Sequence, residues 1–211
     1  MFILLETGDF MKKTLLLFTI LFMSVVTSAC INNFAIQELN NKAESYMDKG
    51  DTETAICRLK SSLDLDNEVY QTHYNLAVAY TSIGKYEDAV KELEKVQELK
   101  PDFADAYYTM AVAKEALAYQ IIDKDSDDNT ASKELTKDEI ESFNNKAADV
   151  IEVYNEYLVK KENAPEAQQI NDKISELNQK IKDYTEIYDK MQADGNEQIQ
   201  KELNSDEGEQ G

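Results

Sequence analysis

The chain repeats itself at a fixed spacing of 34 residues: Ala43, Tyr46, Gly50, Ala55, Ile56, Leu59 and Leu65 recur as Ala77, Tyr80, Gly84, Ala89, Val90, Leu93 and Leu99. A third copy starts with Ala111 and then degrades. A period of this length marks a supersecondary unit that cannot bury its apolar face alone and stacks on its neighbours to do so. The residue types define the unit. Ala43, Ala55, Ala77 and Ala89 suit two helices that cross closely, because larger side chains would hold the axes apart. Gly50 and Gly84 can take the left-handed conformation that ends a helix, and Tyr46 and Tyr80 fill the space between paired helices. Pro101 stops the second helix of a pair and turns the chain into the next copy. The fold class expected is all-α, built of stacked helix pairs.

The stretch Tyr74-Asn75-Leu76-Ala77, followed by Tyr80, Gly84, Tyr86, Ala89 and Pro101, resembles nearly the whole signature of the tetratricopeptide repeat (TPR) family. The resemblance implies a short α-solenoid of antiparallel helix pairs, residues 36–164, with copies at 36–69, 70–103 and a degenerate 104–164. Copy one keeps Leu39, Ala43, Tyr46, Gly50 and Ala55 but has Asn67 in place of Pro101, so its second helix should end less sharply. In copy three, Lys114 replaces the tyrosine, Ala118 the glycine and Asp123 the interhelix alanine. Its first helix is therefore expected to run on to about Ile122. An acidic insertion follows at 123–135, and Thr136 with Glu139 forms a capping box for a new helix carrying Ile140, Phe143, Ala147, Val150, Ile151, Tyr154 and Leu158.

Beyond Pro165, Ile170, Ile174, Leu177, Ile181, Tyr184, Tyr188 and Met191 alternate steps of four and three. Residues 165–191 read as a helix that caps the open end of the array. A self-associating coiled coil is the alternative. The polar, acidic composition of 192–211 predicts a disordered tail.

At the other end, Lys12-Lys13, an apolar run from Leu15 to Val26 and Thr27-Ser28-Ala29-Cys30 have the layout of a secretory signal, residues 1–29, with Met11 the preferred start. Cys30 after Ser28-Ala29 resembles the bacterial lipobox, although Thr27 stands where that motif usually has an aliphatic residue. The resemblance implies export and a lipid on Cys30 that anchors the chain to the cell envelope membrane of a bacterium, with residues 30–35 a short linker. Residues 31–34 would span roughly 15 Å if extended.

A formal charge of −20 excludes nucleic acid as a partner, since binding it requires a basic face. It equally disfavours attraction to anionic lipid, so any lipid chain must do the anchoring. Cys57, the one cysteine besides Cys30, has no intramolecular disulfide partner once Cys30 is modified, and reads as a small, partly buried residue rather than a reactive thiol. Ser82-Ile83-Gly84-Lys85 has the S-x-x-K spacing of acyl-transfer enzymes without their companion motifs, and His73 is the single histidine, so no catalytic residues and no cofactor are expected. Asp123, Asp125, Asp127 and Glu134 echo a calcium loop, but Asp128 occupies the position of its turn glycine, so a solvated acidic insertion is the primary reading.

Function then falls to binding. In TPR arrays the first helices line a concave groove, and the 34-residue step puts Asn40, Tyr74 and Tyr108 in one row, Glu44, Val78 and Val112 in the next, and Met47, Thr81 and Glu115 in a third. Tyrosine and valine in equivalent rows suit a peptide that inserts apolar anchors. Positions that form a carboxylate clamp in some TPR domains hold Asn40, Asn41, Glu44 and Asn75, with Tyr74 and Val78 in place of a cation and a polar residue, so acidic tails are poor ligands. The expected role is a non-enzymatic adaptor for another envelope or secreted protein. A self-assembling lipoprotein and a calcium-regulated binder are the alternatives, and the sequence leaves oligomeric state open.

Overall fold

The computed structural model describes the backbone of residues 3–123 and 135–208 and the side chains of 12–21, 31–123 and 135–195. Among the described residues there are seven helices and no strand: α1 (Ile3–Asp48), α2 (Thr52–Leu63), α3 (Tyr70–Ser82), α4 (Tyr86–Leu99), α5 (Ala104–Ile122), α6 (Lys137–Lys160) and α7 (Ala167–Gly208). Two compact units divide the chain within α3, Met1–Ala79 and Tyr80–Gly211.

In the first unit α1 packs against α2 across a three-residue turn. Gly50 takes φ +77°. Its N–H donates to Met47 O at 2.9 Å, and the next N–H, of Asp51, reaches back to Tyr46 O at 2.9 Å, which satisfies carbonyls left open at the end of α1. Asp51 then caps α2 by accepting from Thr54 N at 3.2 Å. Ala43, Ala55 and Leu59 are buried almost completely in the seam.

The turn into α4, in the second unit, repeats the backbone bonds of this pattern but not the side-chain cap, since Lys85 stands where Asp51 did. Gly84 has φ +74°, its N–H donates to Thr81 O at 3.1 Å, and Lys85 N donates to Tyr80 O at 2.9 Å. The period in the sequence is thus a period in backbone hydrogen bonds. Where the third copy has Ala118 instead, α5 passes straight through it with the methyl fully buried, and the helix ends at Ile122 with Asp123 N on Tyr119 O at 2.9 Å.

Copy one lacks the proline, yet α2 ends two positions earlier than its counterpart α4, at Leu63 rather than the equivalent of Leu99. The cause is local. Leu65 N and Asp66 N both turn back to Ser62 O, and Asp66 accepts from Glu68 N at 2.9 Å, a side-chain-stabilised turn that competes with the helix. Leu65, expected on the repeating apolar face, is consequently 41% exposed.

In the second unit α4 packs on α5, α5 on α6, and α6 on α7. Thr136 and Glu139 form the reciprocal capping box that opens α6. The buried residues of α6 are Ile140, Phe143, Ala147, Val150, Val153, Tyr154 and Tyr157. Val153 and Tyr157 thereby replace the expected Ile151 and Leu158, both only half-buried, and Tyr157 packs on the ring of Tyr108. α7 lies along α6 and buries Ile170 and Leu177 to 1% exposure each, about 2 kcal/mol of transfer free energy per side chain. Phe143 meets Tyr184 edge-on at 5.1 Å further along.

Two stretches differ from the sequence expectation. The backbone of α7 continues to Gly208 instead of stopping near Met191. Residues 30–35 are helical rather than an extended linker, so Cys30 to Phe34 rises about 6 Å along α1. No helix among the described residues is long and apolar enough to cross a membrane.

Candidate functional site

The first unit joins α1 to α3 through a polar seam. Ser62 and Thr72 are completely buried, 3.3 Å apart, and Asn40 Nδ2 lies within hydrogen-bond distance of both hydroxyls, at 3.0 and 2.9 Å, as well as of Ile36 O at 3.0 Å. Asn75 Nδ2 donates to Asn40 Oδ1 at 3.1 Å. Hydroxyls withdrawn from water cost free energy unless paired, and this carboxamide pairs them. Asn40, expected among the groove residues, therefore has both ends of its carboxamide engaged within the protein. It sets the register of α1 against α3.

One and nearly two turns on from Asn40 come Glu44, exposed, and Met47, half-buried. Tyr74 and Val78 of α3, in the same unit, are both half-buried. Five of the seven expected groove residues, Asn40 among them, therefore lie on the two helices that the seam joins.

The third copy is arranged differently. Tyr108 of α5 packs against Tyr154 at 6.3 Å and Tyr157 at 5.4 Å between ring centroids, contacts of about 1 kcal/mol each beyond area burial. Glu115 accepts from Tyr154 Oη at 2.6 Å and from Lys173 Nζ at 2.7 and 2.8 Å. Burial, and then the Glu115 carboxylate, push the Tyr154 hydroxyl well above the usual tyrosine range, which keeps it a donor. Tyr157 Oη donates to Glu166, and that bond holds the Glu166 carboxyl below its ordinary value. Lys161 reaches Asp105 at 2.9 Å and lies 5.5 Å from the Tyr157 ring centroid. The row that copy three would contribute is largely occupied by α6 and α7; Val112 next to it is half-buried. Tyrosine-to-carboxylate pairs across helices carry no periodic signal, so they were not readable from spacing.

His73 also has a structural role. It is 7% exposed, and its Nε2 donates to Asn67 O at 2.9 Å. Thirty-four residues on, Tyr107 Oη donates to Pro101 O at 3.0 Å. Histidine and tyrosine close equivalent turns between copies. Ser82 ends α3 and Lys85 precedes α4, so their S-x-x-K spacing is that of a turn. Cys57 is exposed on α2 rather than partly buried, because its place in the helix turns it away from the buried Ala55, Ile56 and Leu59. The Cys30 side chain, and Asp125, Asp127 and Glu134 of the calcium-like spacing, lie outside the described residues. Among the described residues no group of three or more His, Cys, Asp or Glu could hold a metal ion.

Repeating turns, close alanine seams and stacked pairs together make this the architecture of a TPR solenoid. Residues 46–115 match the tetratricopeptide repeat family. The folds most similar to it include the TPR2B domain of yeast Sti1 in complex with pHsp70, at 17% identity and a TM-score of 0.52 over 69% of this chain and 98% of that one. Another is the Arabidopsis OM64 TPR domain, at 13% identity, TM-score 0.53, 70% and 98% coverage. The second TPR domain of human RPAP3, in complex with the HSP70 peptide SGPTIEEVD, gives 16%, 0.52, 70% and 98%. At these identities the likeness is one of fold. No curated protein sequence matches the chain.

Proposed function

We propose that this TPR protein is a non-enzymatic adaptor that binds a peptide segment of another envelope or secreted protein on the α1–α3 face of its first unit. The observation that supports the reading is the Asn40–Ser62–Thr72–Asn75 seam, which ties α1 to α3, the two helices that carry the half-buried Met47, Tyr74 and Val78. Apolar and aromatic side chains on a preorganised scaffold bind a peptide without having to be ordered first. Related folds in complex with Hsp70 peptides support peptide binding as the mode. Acidic peptide tails do not fit here, since Glu44 and a net charge of −20 oppose them; the ligand is neutral or basic with apolar anchors.

Residues 12–30 support the second half of the proposal, that the protein is exported and held to a bacterial envelope membrane by a lipid on Cys30. The α1 helix would then carry the anchor without a break into the first repeat. Replacing Tyr74 by Ala and Val78 by Ser should abolish partner recovery from the native envelope while leaving helicity by circular dichroism unchanged. Equal recovery contradicts the binding face. Independently, Cys30→Ser should abolish incorporation of labelled fatty acid, and retained label contradicts the anchor.

A further inference from the structure

Helix α6 has two apolar faces. One is the buried stripe already described. The other is an outer strip of Ala148, Ile151 and Val159, interrupted by the polar Asn155, at steps of three, four and four. Val159 is 79% exposed, the most exposed large apolar side chain among the described residues. Ala148, Ile151 and Val159 form the floor of an open trough of about 650 Å³ that reaches Tyr107 of α5. Lys160 closes one end, its ammonium 4.5 Å from the Tyr107 ring centroid. Glu152 and Glu156 line the rest, and neither makes an ion pair among the described residues. The one cation of the trough is thus turned onto an aromatic ring while its carboxylates face solvent.

We infer that this outer face of α6 is a second docking surface, distinct from the α1–α3 face, for an amphipathic segment of a partner protein with aliphatic anchors flanked by lysine or arginine. Charge selects the occupant. An apolar strip beside two unpaired carboxylates complements a segment that is apolar on one side and basic at its edges, and like charges at those edges would be repelled. A second copy of the chain brings a charge of −20 to the contact, which disfavours self-association through this face. With two docking faces the protein would hold two partners at once, a bridging role that a single peptide groove does not supply.

Three fluorescent synthetic helices test this by anisotropy against the full chain in about 0.15 M salt: one of leucine and lysine in amphipathic register, one with glutamate for every lysine, and one with serine for every leucine. The leucine–lysine helix should bind at least about tenfold more tightly than either other, and Val159→Ser should weaken it about tenfold, the share of one aliphatic contact. Glu156→Lys should weaken it as well. Tyr74→Ala, on the other face, should leave it unchanged, so loss of the first site and loss of this one are separable. Val159 is so exposed that its replacement leaves the fold intact. Equal binding of the serine–lysine helix, or no effect of Val159→Ser, would overturn the inference by reducing the interaction to general attraction toward an acidic protein. Self-association of the full chain that Val159→Ser abolishes would overturn it in favour of a second copy.

Discussion

Gly50, Gly84 and Ala118 occupy one register position in three successive copies, and the structure assigns them opposite demands. At Gly50 and Gly84 φ is +77° and +74°, and a Cβ added at either would meet no atom within 4 Å. Substitution by alanine therefore carries no clash and no new contact, only the left-handed strain of about 1–2 kcal/mol. Restricting the unfolded chain returns about 0.4–1 kcal/mol of that. The net cost is about 1 kcal/mol per site, or a fall in Tm of about 3 °C for a chain of this size. Ala118 is the mirror case, helical and fully buried, so Ala118→Gly loses about 1 kcal/mol of helix propensity and about 0.8 kcal/mol of methyl burial. Thermal melts followed by circular dichroism should show each glycine-to-alanine variant down by a few degrees, the double variant down by the sum, and Ala118→Gly down by about 5 °C. Gly84→Asn should cost less than Gly84→Ala, because asparagine tolerates the left-handed region. A neutral or stabilising Gly84→Ala would refute the turn geometry, and a neutral Ala118→Gly would refute the continuous helix through copy three.

Other outcomes follow from single contacts. His73→Ala should cost about 2 kcal/mol by leaving Asn67 O unpaired and a gap behind it, whereas His73→Tyr should recover most of the loss, as Tyr107 does at the equivalent turn; urea denaturation distinguishes them. Burial, helped by Glu176, raises the Tyr119 hydroxyl to about 12. The folded state thus holds that proton more tightly than the unfolded chain, and the associated stability is complete below pH 10 and lost as pH rises through about 12. Denaturation midpoints should therefore fall over that range in the wild type and less in Tyr119→Phe. Sedimentation equilibrium at high micromolar concentration should give a monomer if α7 serves only to cover α6, and a dimer would favour the coiled-coil alternative.

The pairs, their turns and the long α5 were legible in the sequence because each is written in local chemistry: a glycine where φ must be positive, an alanine where helices cross, a capping box at Thr136. Tertiary competition was not. Asn40 sits in a groove row by count, yet two buried hydroxyls claim its carboxamide. Tyr108 occupies the same row, yet α6 turns Tyr154 and Tyr157 onto it. Ile151 and Val153 are both aliphatic, and only the line taken by the end of α6 decides which is buried. Turn competition after Ser62 shortened α2 although no proline demanded it.

The central claim is that partners dock on the α1–α3 face of the first unit, and site-specific photocrosslinking tests it most directly. A benzophenone amino acid placed in turn at positions 47, 74 and 78 of the full chain, expressed in its native host, should trap the same partner at all three positions, while position 58, exposed on α2, traps little of it. Crosslinking to that partner with equal yield from position 58, or none from 47, 74 and 78, would contradict the account.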